Sequence, residues 1–326
     1  VTLHAERPAA EASERPTQIG GSTRFVPGQS HDRITVVNGK VQLGQRLRDL
    51  WANRDLLALL TRSELKIKYK GSVLGYAWSM LNPALVLAIF YVVFSVISKN
   101  GQPHFAIWLF AGLLVWNLFN VAALNSTSIV VGKAGIVKKV AFPRELLAMS
   151  MVGVTLVLFA IQAVVMVIAM FAFQVRPDYS MLPVLPLAFL TLLVFTAGFS
   201  IFLSAVNVYL RDTQHLSEVL LMAWFWGTPI VYSFGQISAQ MSTHGLGWFR
   251  YLYLANPITP IAMTFQRAIY GQTSYIYAGT VHHVLPNWGI GTYALLDGTV
   301  LAASCILFLL ALVVFGRLEG NFAEEL

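Results

Sequence analysis

Long apolar stretches, interrupted by clusters of charge, set the pattern of this chain. No Asp, Glu, Lys or Arg occurs between Lys70 and Lys99, and further charge-free windows follow at 105–131, 146–174 and 182–209. Crossing about 30 Å of hydrocarbon takes roughly 20 helical residues. The pattern therefore predicts membrane-crossing helices over Trp78–Ile97, Phe105–Val131, Leu146–Gln174 and Leu182–Tyr209. Two more are predicted over Leu216–Phe234, with Glu218 near one end, and Tyr293–Phe315, with Asp297 near its start. Six spans make this an all-α polytopic membrane protein.

The pattern differs ahead of the first span. Over residues 43–70, Leu47, Leu50, Trp51, Leu57, Leu60 and Leu65 alternate with Arg46, Arg48, Arg54, Arg62, Lys66, Lys68 and Lys70. This basic amphipathic stretch is expected to lie in the membrane interface, in two pieces broken near Asn53. Such cations serve either as a topological anchor or as a site for a phosphate-bearing lipid. Residues 1–33 have scattered Pro, Gly and charge with no apolar period, which predicts disorder. Their early arginines are followed by no apolar core of the kind a secretory leader carries. Ile34–Val37 and Lys40–Leu43 flank Asn38-Gly39 as a two-residue hairpin would. The expected organisation is a cytosolic extension over 1–42, an interface helix over 43–70 and a six-span domain over 71–326.

Composition agrees with membrane insertion. The chain has 326 residues, 56% hydrophobic and only 11% charged, with a mean hydropathy of +0.65; soluble domains are about a quarter charged. With the amino terminus inside, the outer side keeps only Lys99, Arg176, Arg250 and Arg267 of the 22 Lys and Arg. That bias places both termini in the cytoplasm.

Chemistry is conspicuous mainly between the second and third spans. Gly132–Leu146 is a short basic insert carrying Lys133, Lys138, Lys139 and Arg144 and stiffened by Pro143. It is too small to fold alone and suits either a positive-inside anchor or docking to a soluble partner. Ion-driven carriers place ionisable groups near the midplane, where these spans have none. A GxxxxGK[ST] phosphate loop is absent: Ile34 and Thr127 stand where Gly39-Lys40 and Gly132-Lys133 would need glycine. The pair His282-His283 lacks a metal-spaced companion, and the single Cys305 allows no internal disulfide.

Pro83 and Pro229 are expected to bend spans one and five. Leu246–Tyr270 combines Trp248, Phe249, Tyr251, Tyr253 and Phe265 with Arg250, Pro257, Pro260 and Arg267, which predicts short re-entrant helices rather than a seventh crossing. Trp116, Phe119, Trp224, Trp226 and Tyr232 lie in or near spans, where rings either line a sugar-conducting channel or belt the interface.

RSELKIKYKGSVLGYAWSMLNP, VKKVAFPREL, NVYLRDTQHL, TPIVYS and NPITPIAMTFQRAIYG occur in that order over Leu47–Leu326. In order and spacing they resemble the membrane subunit of ABC transporters that export lipid-linked polysaccharides such as O-antigen, capsule, teichoic acid and mycobacterial galactan. The extension and the closing FGRLEGNFAEEL look closest to actinobacterial galactan exporters. The resemblance implies a subunit of the bacterial plasma (inner) membrane, not itself an enzyme. Two copies would enclose a channel above two ATP-binding subunits, which hold the ATP and Mg. No cofactor belongs to this chain, and nucleic acid is no partner. Gly135, Ile136, Val137, Lys138, Lys139, Pro143, Arg144 and Glu145 would couple it to the ATPase; Arg62, Lys66, Lys68 and Lys70 would meet the lipid phosphate. Tyr251, Tyr253, Pro257, Pro260 and Arg267 would shape the outer gate. The alternatives are a drug or small-molecule efflux permease of the same fold and, from another class, a membrane glycosyltransferase.

Overall fold

The computed structural model describes residues 43–325 except 73, 76, 99, 100, 272 and 278. The expected disorder and hairpin of the extension lie outside the described residues, save that Leu43 opens a helix. The amphipathic stretch forms α1 (Leu43–Ala52) and α2 (Arg54–Lys68), separated at Asn53, whose side-chain amide donates to the carbonyl of Asp49. That local bond competes with continued helix.

Among the described residues, five helical segments are long and apolar enough to cross a membrane. The first is α3 (Ala77–Phe90), which widens into a π-helical turn over Tyr91–Ile97. Then come α4 (Phe105–Gly132), α6 (Glu145–Ala172) and α7 (Leu185–Tyr209) with a preceding 3-10 turn; α12 (Ile290–Leu318) is last. Between α4 and α6 lies the single turn α5 (Ala134–Val137). Burial ranks the five: 72% of α4's most apolar window is enclosed but only 11% of the window in the α3 segment. So α4 is the hub, with apolar residues buried all round, while α3 lies at the periphery. Pro83 sits inside α3 without ending it.

Small residues set how closely the spans approach. A Cβ on Gly198 of α7 would lie 2.9 Å from the Cα of Phe308 on α12, so that crossing requires glycine. On Gly153 of α6 a Cβ would lie 2.6 Å from Thr61 Oγ1, which fixes where α2 rests.

The expected fifth span is not one helix. Its place is taken by α8 (Thr213–Trp226), 14 residues or about 21 Å long, well short of the hydrocarbon thickness. Pro229 therefore terminates this helix rather than bending it: the residue before a proline is driven out of the helical region, and Thr228 instead turns its hydroxyl back to the carbonyl of Trp224 at 2.8 Å.

After that break come α9 (Phe234–Thr243), α10 (Phe249–Ala255) and α11 (Ile258–Tyr270), the last almost wholly buried against α4, α7 and α12. A small antiparallel hairpin, β1 (Ser274–Tyr277) with β2 (Thr280–His283), pairs Ser274 with His283 and Tyr277 with Thr280. Beyond α12 a 3-10 turn (Glu319–Asn321) leads to α13 (Phe322–Glu325). Because α1 contacts the end of α12, the start and finish of the described chain share one end of the bundle.

Candidate functional site

At that end four charged side chains tie three parts of the chain together. Arg46 on α1 pairs with Glu145, the first residue of α6, and with Glu319 just past α12 at 2.9 Å. Arg144 approaches Glu319 at 3.6 Å and also donates to its backbone carbonyl at 2.8 Å. Two cations and two anions balance, which makes the near-complete burial of Glu145 tolerable. Gly316 provides the seat: a Cβ there would meet Arg46 Cζ at 2.7 Å. A separate ion pair, Lys133 to Glu64 at 2.7 Å, fastens the end of α4 to α2.

The residues predicted to form one docking surface therefore divide. Gly135, Ile136, Lys138 and Lys139 face outward, and Ile136 is 44% exposed. Val137 is buried among Ile129, Leu146 and Leu147 and anchors the insert to the bundle. Arg144 and Glu145 turn inward to the ion-pair cluster, and Pro143 is half-buried. Between α1, α2 and the insert a cleft of about 500 Å³ opens, lined by Asp49, Asn53, Leu56, Leu60, Ile136, Val140, Ala141, Phe142 and Pro143. Val140 is 54% exposed there, an apolar surface rimmed by charge, as contact sites are. Arg62, Lys66 and Lys68 are exposed along α2, whose Leu65 is buried, and Lys70 is exposed just beyond its end.

The aromatic residues divide as well. Phe119 is fully buried, its ring 5.3 Å from those of Phe195 and Trp224. Trp116 is buried against Phe119 and Phe225. Both pack in the core among α4, α7 and α8, so of the five predicted channel aromatics these two are enclosed within the chain. Trp226 at the end of α8 is 59% exposed, and half-buried Tyr232 donates to its carbonyl at 2.5 Å. Trp224 donates its indole N–H to Asn256 Oδ1 at 2.9 Å.

Asn256 is a junction that the pattern of apolar residues did not reveal. Its Oδ1 also accepts from the backbone N–H of Ile258, its amide reaches Thr228 at 2.9 Å, and so it links the break after α8 to the start of α11. The signal was the Asn256-Pro257 dipeptide, a turn initiator.

The predicted gate residues flank this junction. Tyr251 is 60% exposed, Tyr253 and Pro257 are half-buried and Pro260 is buried. Arg267 is buried and pairs with Asp178 in the α6–α7 connection at 2.6 Å, while donating to the carbonyl of Gly271 at 2.6 Å. The Ser180 hydroxyl above all, helped by Arg267, holds the Asp178 carboxyl below its ordinary range.

Asp297 lies near the start of α12, as the sequence pattern placed it, and is packed inside the bundle. It is fully enclosed, accepting from Thr264 of α11 at 2.7 Å, while Thr191 of α7 donates to its carbonyl at 3.3 Å.

Comparison with known proteins places this architecture. Residues 55–270 match the family model for ABC-2 type transporters. An O-antigen export system permease protein RfbA of Klebsiella pneumoniae is 28% identical over 273 residues, covering 83% of this chain and 95% of that protein. The protein of the same name from Myxococcus xanthus is 32% identical over 225 residues, 69% of this chain and 84% of its own length. The matched region takes in α2, the insert, the α8 break and α11, and on that extent of agreement the chain belongs to the ABC-2 type transporter family.

Proposed function

We propose that this protein is the membrane subunit of an ATP-driven exporter that carries a lipid-linked polysaccharide across the bacterial inner membrane. Family membership and the O-antigen export relatives support the cargo class. The galactan-type cargo rests on the likeness of the carboxyl-terminal FGRLEGNFAEEL. Two copies assemble, with the apolar faces of α3 and α8 turned toward the shared channel; Leu85, Ile89, Val219 and Met222 are exposed there. The stretch after Trp226, covered by protein in the dimer, completes a sixth crossing. Both termini then lie in the cytoplasm, on the side of the basic insert.

The observation that carries this reading is the cleft between α1, α2 and the insert. Exposed Ile136 and Val140 line it, exposed Lys138 and Lys139 stand between them in the chain, and Pro143 in its wall immediately precedes Arg144 and Glu145 of the charge cluster joining α1, α6 and α12. An ATP-binding subunit seated there pushes on Val137 and Arg144, and the load passes to the ends of three helices at once. Arg62, Lys66, Lys68 and Lys70 meet the lipid phosphate at the membrane surface beside it. Co-purification with the ATP-binding protein of the same organism tests the docking. Val140→Asp is expected to abolish capture while leaving the chain folded in detergent, and undiminished capture by that variant contradicts the reading.

A further inference from the structure

A second cleft lies at the opposite end of the bundle, and neither coupling nor cargo accounts for it. It opens between α6 and α7, is backed by Leu114 of α4 and by Phe265 and Ile269 of α11, and has a volume of about 990 Å³. Its wall is apolar, with Phe159, Met166, Met170 and Phe189 prominent. The surface at its mouth is also greasy: Phe171 is 80% exposed. Where the α6–α7 connection crosses the cleft, the apolar trough runs into a polar cup of about 550 Å³, lined by His104, Gln174, Arg176, Asp178, Ser180 and Tyr270 among others. Gln174, Val175, Arg176, Pro177 and Tyr179 line both, so trough and cup adjoin across the α6–α7 connection, with Arg176 in the wall of each.

The charges of the cup do not cancel. Asp178 is engaged by Arg267 and by Ser180, whereas Arg176 is exposed and forms no ion pair with any described residue. Besides Asp178, the other titratable side chains lining the cup are His104, Tyr179 and Tyr270. Backbone conformation singles out the same rim: His104 at φ 49° and Gln174 at φ 54° are the two non-glycine residues with positive φ among the described residues. Left-handed conformations at such residues persist only where the surrounding structure imposes them, and they gather at ligand clamps.

The geometry points to a resident anionic phospholipid, its acyl chain in the trough and its phosphate against Arg176. A trough of this volume suits a ligand of lipid or drug size, and the single uncompensated cation at its polar end selects a negative headgroup. Tyr270 and Gly271 line the cup on the α11 side. That end of α11 is fastened here by Arg267 to Asp178, by Asp178 N–H to the carbonyl of Ala268 at 2.9 Å and by the Tyr270 hydroxyl to the carbonyl of Pro103 at 2.6 Å. A lipid filling the trough braces α11, the element read above as the gate. The lipid is part of the protein's surroundings and not its cargo, so the inference stands whatever glycan is exported.

The full chain purified in detergent and titrated with phosphatidylglycerol or phosphatidylcholine tests this by native mass spectrometry. One tightly held phosphatidylglycerol per chain is expected, with weaker retention of phosphatidylcholine. Arg176→Ala should weaken phosphatidylglycerol about tenfold, the scale of one lost charge-assisted contact, and Arg176→Lys should restore much of it. Ala163→Trp, which obstructs the trough, should reduce both lipids equally. Circular dichroism establishes that each variant is folded. Equal retention of the two lipids by the wild type, no effect of either Arg176→Ala or Ala163→Trp, or displacement of the lipid by inorganic phosphate alone overturns the proposal.

Discussion

Arg144 donates a hydrogen bond to the backbone carbonyl of Glu319 at 2.8 Å, so the insert between α4 and α6 is fastened to the far end of the chain. The same Glu319 carboxylate holds Arg46 of α1. Arg46→Ala and Glu319→Gln are each expected to cost about 1–3 kcal/mol, because each leaves a partly buried charge without its partner. Solvent reaches these side chains, which keeps the figure toward the lower end. The double variant should cost less than the two single costs combined, by about 0.5–2 kcal/mol. Thermal unfolding in detergent provides the measurement; strict additivity means that the pair is not coupled.

Gly316 is the seat of that guanidinium. Gly316→Val is expected to displace Arg46 and to reproduce the Arg46→Ala phenotype, whereas Gly320→Val, where nothing lies within 4 Å of a built Cβ, should leave the cluster intact. Parallel melting curves for both variants decide this, with equal effects counting against a steric role for Gly316.

At the other end, Thr264→Val removes the hydroxyl that satisfies Asp297. A cost of about 1–3 kcal/mol follows from an unpaired buried polar group, with faster hydrogen exchange across α11. Unchanged exchange there would show that the Thr264–Asp297 bond does not hold α11 to α12.

The Arg267–Asp178 link should be sensitive to acid. Hydrogen bonding from Ser180 and the nearby guanidinium hold Asp178 below its ordinary range, so the carboxylate stabilises the fold above the unfolded-state value. That contribution is lost as the pH falls through the depressed folded-state value. The melting temperature of Asp178→Asn should lie below that of the wild type at neutral pH, and the gap should close in acid. A gap that does not change with pH removes the electrostatic explanation.

Most of the helical architecture could be read from the chain because charge-free length and bilayer thickness together leave little freedom; Phe105, Leu182 and Ile97 bound helices as predicted. The break expected near Asn53 is where α1 gives way to α2. Failures came where tertiary contacts decide. Hydropathy extends the α8 stretch to Phe234, but Thr228-Pro229 and the Asn256 junction end the helix at Trp226. The hairpin at Ser274–His283 is short and half polar, so it gave no apolar period. Among the coupling residues, charge marked Lys138 and Arg144 alike, yet one faces outward and the other inward. Nothing local separates them: the distinction comes from Glu319, 175 residues away from Arg144. Trp116 and Phe119 had the composition of a channel wall and the burial of a core.

The central claim is that the power for transport enters through the outward-facing part of the insert. The direct test is to measure ATP hydrolysis and movement of lipid-linked glycan together in proteoliposomes holding both subunits, with Ile136→Ala, Lys138→Ala and Lys139→Ala combined in this chain. The account predicts that basal hydrolysis persists while glycan moved per ATP falls by about tenfold or more, a loss of at least ~1.4 kcal/mol in coupling. An unchanged ratio, or glycan transport by this subunit without its ATP-binding partner, would contradict it.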